Sequence, residues 1–161
     1  MKNTMPYMNH SKKGMRDMAY KETRDDLLAG FYRMLLEAER AGVQSLNEII
    51  PLIEDTILKS HLLTYLRDEG MNCQILTTLI KNLGHEPGSK TGDFIDKIRA
   101  LNSTDEKLDL LIRGQEWVAK QIRYNRELIN SASSMFFVEA IKIQHEKNVD
   151  TMKQLHQNKS Q

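Results

Sequence analysis

Residues 58–83 read LKSHLLTYLRDEGMNCQILTTLIKNL. Leu58, Leu62, Tyr65, Glu69, Asn72, Leu76, Leu79 and Leu83 follow one another in alternating steps of four and three, an unbroken seam along one face of a helix. The seam is apolar except at its centre, where Glu69 and Asn72 stand three residues apart. A second seam near the C-terminus, Val138, Ile141, His145, Asn148, Met152 and Leu155, is interrupted in the same way by His145 and Asn148. Burying a polar side chain without a partner costs roughly 1–3 kcal/mol, and more if it is charged. Two seams broken at matching places therefore predict one shared polar site at mid-height between packed helices.

Two further helices complete the pattern. A first is expected from about Thr23, with Thr23 and Asp26 as a weak capping box, to Pro51, which removes a backbone donor and restricts its predecessor. Its stripe includes Leu28, Phe31, Leu35, Leu46 and Ile49, with Glu39 at the edge. A third is expected from Ser103 or Thr104 to about Ile129, with the stripe Leu108, Leu111, Ile112, Gln115, Ala119 and Ile122, and with Glu116 on its flank. Residues 85–104 break into turn signals around a short amphipathic piece, Phe94, Ile95, Ile98 and Leu101. A connection of this length can cross the whole molecule, whereas the other links suit only antiparallel neighbours. The fold expected is all-α: four helices in two antiparallel hairpins joined by a long crossover that contains a short helix. It spans residues 23–156, behind a flexible Met-rich arm (1–22) and ahead of a polar tail (157–161).

Composition narrows the function. In 161 residues, 23 basic side chains balance 22 acidic ones, so no overall field draws the chain to nucleic acid or an anionic membrane. No apolar run is long enough to span a bilayer, and the one cysteine, Cys73, excludes an internal disulfide; a cytoplasmic protein is expected. No phosphate-binding glycine loop and no nucleophile elbow is present. The irregular methionines of the arm suit a loosely docked leader better than a copper site.

The four helices have their midpoints near Glu37, Glu69, Trp117 and His145, which brings Glu39, Glu69, Glu116 and His145 to one level. Glu39 precedes Glu69 by thirty residues, Glu116 precedes His145 by twenty-nine, and each second member is followed three residues on by Asn. This arrangement resembles the ferritin-like superfamily, which includes bacterioferritin and rubrerythrin, over roughly residues 25–155. It most resembles a bacterial branch whose second helix carries Asp-Glu-x-x-Asn-Cys, here Asp68, Glu69, Asn72 and Cys73. In that superfamily the first and third helices each give one Glu and the second and fourth each give Glu-x-x-His to a pair of metal ions. The resemblance implies Glu39, Glu69, Glu116 and His145 as ligands, with Asn72 and Asn148 as weak ligands or outer partners in place of both family histidines. Three carboxylates, one imidazole and two neutral amides suit one divalent ion, Fe, Mn or Zn, better than two.

The alternative expectation is a metal-free scaffold, its Asn amides donating to the glutamates, that dimerises or binds a partner through outward Trp117, Val118, Phe136 and Phe137. A homodimer is the expected assembly, and no particular small-molecule substrate follows from the sequence. Arg113 or Lys142 could supply positive charge to the layer. Cys73 reads as a small buried thiol.

Overall fold

Caps and one proline divide the chain into helices in the computed structural model, which describes residues 10–157 and their side chains from 24 to 156. Helix α1 is His10–Ile49. Pro51 follows at the start of the 3-10 turn Ile50–Leu52, where its missing N–H is not needed. Asp55 then caps α2, Thr56–Asn82, its carboxylate accepting from the amides of Ile57 and Leu58, both at 2.9 Å. Gly84, at φ 77°, closes α2 as a Schellman-type turn: the Gly84 and His85 amides donate back to Lys81 O and Ile80 O.

Helix α3, Phe94–Arg99, lies within the connection. Ser103 and Glu106 form a reciprocal capping box at the head of α4, Thr104–Asn125. A 3-10 turn, Arg126–Leu128, leads towards α5, Ala132–Gln157. The described residues are all-helical and contain no strand.

One boundary differs from the expectation. Helix α1 begins at His10, so Thr23 lies inside it and not at its start. Residues 10–22 lack an apolar stripe but hold three Lys, two Met, Arg16, Ala19 and Glu22 and no proline, and helix propensity does not require amphipathicity. The remainder of the expected arm, residues 1–9, and of the tail, residues 158–161, lies outside the described residues.

Helix α1 packs on α2 and α4, α5 packs on α2 and α4, and α3 lies against α1 and α4. The polar pairings give the directions. Glu39 meets Asn72 and Gly42 meets Glu69, so α1 and α2 run antiparallel; Arg123 meets Glu146 and Lys153 meets Glu116, so α4 and α5 do too.

The core divides in two. One apolar cluster gathers Leu28, Leu35, Leu76, Ile80, Ile122 and Val138, with their neighbours. The other gathers Leu46, Leu58, Leu62, Leu111, Val149 and Met152. On every long helix the break between the two clusters falls at the polar positions of the seam, so burial of the flanking leucines, worth roughly 1.5–3 kcal/mol each, holds the polar layer in place.

The connection between α2 and α4 is strapped to α1 by guanidinium groups. Arg40 donates to Gly88 O and Lys90 O, both at 3.0 Å, Arg33 donates to Glu86 O at 2.8 Å, and the Gly92 amide reaches Glu37 O. Phe94 seats its ring against Gly114 of α4, where an added Cβ would lie 2.8 Å from the ring edge. The connection therefore roofs the groove between α1 and α4.

Candidate functional site

Five of the six residues expected at the site meet in one buried layer. Glu39, Glu69 and His145 are each 1% exposed, and Asn72 and Asn148 are buried beside them. The sixth, Glu116, lies elsewhere: its side chain is 45% exposed on the outer face of α4 and pairs with Lys153. Its neighbour Gln115 takes the inward place, because the α4 stripe at 108, 111, 112, 115, 119 and 122 turns residue 115 to the core and residue 116 away from it. The structure thus corrects Glu116 to Gln115 as the α4 member of the layer, and the third carboxylate is replaced by an amide.

The layer is built from two short hydrogen-bond chains. In one, Asn148 Nδ2 donates to Gln115 Oε1 at 3.2 Å and Gln115 Nε2 donates to Glu69 Oε1 at 2.5 Å. In the other, Asn72 Nδ2 donates to Glu39 Oε2 at 3.0 Å and to Gln144 Oε1 at 2.8 Å. His145 stands at the far oxygen of Glu39, its Nε2 lying 3.3 Å from Oε1, while Nδ1–H donates to Ile141 O at 2.9 Å. The contact between Nε2 and Oε1 is an electrostatic approach without hydrogen-bond geometry. Glu39 Oε1 and Glu69 Oε2 are both buried with no hydrogen-bond donor. Gln115 and Gln144 were not assigned to the site from the sequence. Gln115 was legible from its place in the α4 stripe; Gln144 lies off the α5 seam and gave no signal.

Gly42 makes this arrangement possible. A Cβ there would overlap Glu69 Oε2 and lie 2.6 Å from its Cδ, so only glycine lets the carboxylate lie against α1. Gly70, the other glycine of interest, has nothing within 4 Å of an added Cβ and serves no packing purpose.

The electrostatics are those of two buried carboxylates with His145 beside one of them. Burial pushes the Glu69 carboxyl well above the usual carboxylate range; Glu39 adds to the rise, Gln115 opposes it and Asp68 raises it further. Burial also raises Glu39, opposed by His145 and Asn72. Among the described residues no Lys or Arg is buried in the layer. Lys142 pairs with Glu139, and Arg113 is exposed. Cys73, half-buried nearby, is pushed up to about 12 by burial and by Glu39 and Glu69, which leaves it a thiol and not a nucleophile at neutral pH.

The layer is reached from outside. A cavity of about 470 Å³ lies between α1 and α4 under the roof of residues 92–97. Its walls are largely apolar, formed by Met34, Ala38, Phe94, Leu111, Trp117 and Val118, and Glu39, Glu69, Gln115 and His145 line it at the level of the layer. Of the residues expected at a subunit contact, Trp117, Phe136 and Phe137 are exposed, Trp117 lining the cavity as well, and Val118 is buried.

A ferritin-type pair of metal ions does not fit this donor set. Only two of the layer's residues are carboxylates, four are amides, and the Asn72 and Gln115 NH2 groups point at the carboxylate oxygens. Among the described residues no group of three His, Cys, Asp or Glu side chains is placed to hold a metal ion. Nor is any helix among them long and apolar enough to cross a membrane.

Fold and layer together define an all-helical protein with an acidic, partly unsatisfied polar centre opening into an apolar cavity. Residues 25–154 match a family described as Domain of unknown function (DUF6306), and the chain belongs to that family. No curated protein and no solved structure matches it.

Proposed function

We propose that the protein is a four-helix bundle of ferritin-like topology, two antiparallel hairpins joined by a crossover, whose central layer binds one positively charged ligand and does not serve as a di-iron centre. The observation that carries this reading is the pair of buried carboxylate oxygens, Glu39 Oε1 and Glu69 Oε2, left without donors on residues that line a cavity. Two carboxylates at one level repel each other, and a bound cation relieves both that repulsion and the missing donors at once. The packing of α1 and α5 on both α2 and α4, with α3 in the connection, supports the topology.

One divalent ion, Fe, Mn or Zn, is a second reading, favoured by His145. Donation from Nδ1–H to Ile141 O leaves Nε2 as the atom that faces Glu39, and it is the arrangement by which a backbone carbonyl orients a ligating histidine. Glu39, Glu69 and His145 would then have to draw together around the ion, since as placed no three such side chains among the described residues form a metal site, with the amides as their hydrogen-bond partners.

Thermal unfolding of chelator-free protein with manganese, zinc or methylammonium chloride tests the site, alongside metal content by mass spectrometry. A cation at about 100 times its Kd should stabilise the fold by about 2.7 kcal/mol, or roughly 5–10 °C in Tm for a chain of this size. The rise should vanish in Glu69→Gln. No rise with any of these cations, in wild type and variant alike, would end the cation-site reading.

A further inference from the structure

We infer that the ligand of this cavity is an organic amine: a protonated ammonium group seated between Glu39 and Glu69, carrying an apolar body that fills the space between α1 and α4. The inference rests on the cation-site reading and adds the ligand's class to it.

Two independent features point the same way. The first is the chemistry at the level of the layer. Glu39 Oε1 and Glu69 Oε2 are acceptors without donors on side chains 1% exposed, and both residues line the cavity. An ammonium group carries three N–H donors on one charge, enough to satisfy both oxygens, whereas a carboxylate or phosphate would meet two like charges. The second is the shape and lining of the rest. A volume of about 470 Å³ lies within the range of small-molecule sites and far exceeds what a single ion needs. Its walls of Met34, Ala38, Leu111 and Val118, with the rings of Phe94 and Trp117, offer nothing to a hydrated ion and good contact to an alkyl or aryl group.

Of the cationic or protonatable groups on the walls, only His145, whose Nε2 lies 3.3 Å from Glu39 Oε1, stands in the layer, and it faces Glu39 and leaves Glu69 Oε2 without a donor. Lys97 is exposed and pairs with Asp93 at 3.1 Å, and Arg113 is exposed on α4. Gly42 completes the seat, since any side chain there would force the Glu69 carboxylate out of its position against α1. A ligand entering this way would come to lie beneath the strap that Arg40 fastens across Gly88 and Lys90.

Trp117, the only tryptophan of the chain, lines the cavity and reports on its contents. Its emission should be titrated on the full chain with 2-phenylethylamine, with neutral 2-phenylethanol, with phenylacetate and with methylammonium, and manganese and zinc should be run in parallel by thermal shift. We expect saturable binding of 2-phenylethylamine, at least ten-fold tighter than 2-phenylethanol or methylammonium, and none of phenylacetate. Glu69→Gln should weaken the amine at least ten-fold while remaining folded by circular dichroism. Ala38→Phe, which fills a wall, should abolish 2-phenylethylamine binding and keep the response to methylammonium. Equal binding of amine and alcohol would overturn the inference, as would a response confined to the metal ions or to methylammonium, although that result would leave the cation-site reading standing. No response to any cation, amine or metal, would overturn both.

Discussion

At the scale of single residues, two glycines give opposite predictions from the same substitution. Gly70 lies inside α2 with open space where a Cβ would go, so Gly70→Ala should raise stability by roughly 0.5–1 kcal/mol through helix propensity and a less flexible unfolded chain. Gly42→Ala should do the reverse. Its methyl group would claim the place of the Glu69 carboxyl group, which is buried and can yield only by giving up Gln115, at about 1–3 kcal/mol for a buried polar group left without its partner. Urea unfolding of both variants separates the cases, and a double-mutant cycle identifies the cause: in a Glu69→Ala background the penalty of Gly42→Ala should disappear. An undiminished penalty there would mean that Gly42 answers to α1 packing and not to the carboxylate. Residue-scale reading also explains why the site was only partly legible in the sequence. Glu39, Glu69, Asn72, His145 and Asn148 lie on or beside regular seams, and burial follows the seam. Residue 116 carries a carboxylate near the midpoint of its helix, twenty-nine residues before His145, but on the flank of the stripe. The period of α4 selected residue 115, and the geometry of a helix outranks the chemistry expected of it.

At the scale of elements, the long helices and the short α3 within the connection were legible because each long helix carries a 3.6-residue stripe between recognisable stops, Pro51, Gly84 and the Ser103 capping box among them. The start of α1 was not, since the sequence of residues 10–22 carries no apolar stripe, and periodicity is silent where there is none. The roof was not legible either. Its attachment depends on Arg33 and Arg40 meeting carbonyls about fifty residues away, and backbone carbonyls leave no trace in side-chain pattern. That attachment gives the third prediction. Arg40→Ala removes two bonds from exposed partners and should change global stability by about 1 kcal/mol or less. It should nevertheless speed amide hydrogen exchange across residues 86–93 about ten-fold, because Arg40 fastens two carbonyls within that segment while the helices stay packed. Unchanged exchange there would show that Phe94 against Gly114 and the Gly92 amide bond to Glu37 suffice to hold the roof.

At the scale of the whole molecule, a layer of partly unsatisfied carboxylates between two apolar clusters makes stability depend on pH in an unusual direction. Glu39 and Glu69 are raised in the folded state, both foremost by burial, so above the ordinary carboxylate range, about pH 4.5, the folded chain holds more protons than the unfolded one. The slope of unfolding free energy with pH is then negative: their contribution is greatest at or below that range, falls as pH rises, and levels off only above their raised values. Glu106 and Glu139 act oppositely. Their carboxyls are lowered, Glu106 by the Ser103 amide and hydroxyl and Glu139 by Lys142, so what they contribute is present at neutral pH and lost only in acid. Between about pH 5 and 8 the layer should therefore dominate the trend. Replacing Glu69 by Gln removes the titrating group while keeping an acceptor for Gln115. The variant should match or slightly exceed wild type at pH 5 and gain on it towards pH 8, by at most about 1.4 kcal/mol per pH unit for one proton. Denaturant unfolding of both proteins at half-unit intervals measures the difference directly. A constant difference would place the Glu69 carboxyl in the ordinary range and remove the electrostatic need for a cation. A widening one would show that the two carboxyl groups of the layer strain the fold at neutral pH, which is the condition under which a bound positive charge stabilises the molecule most.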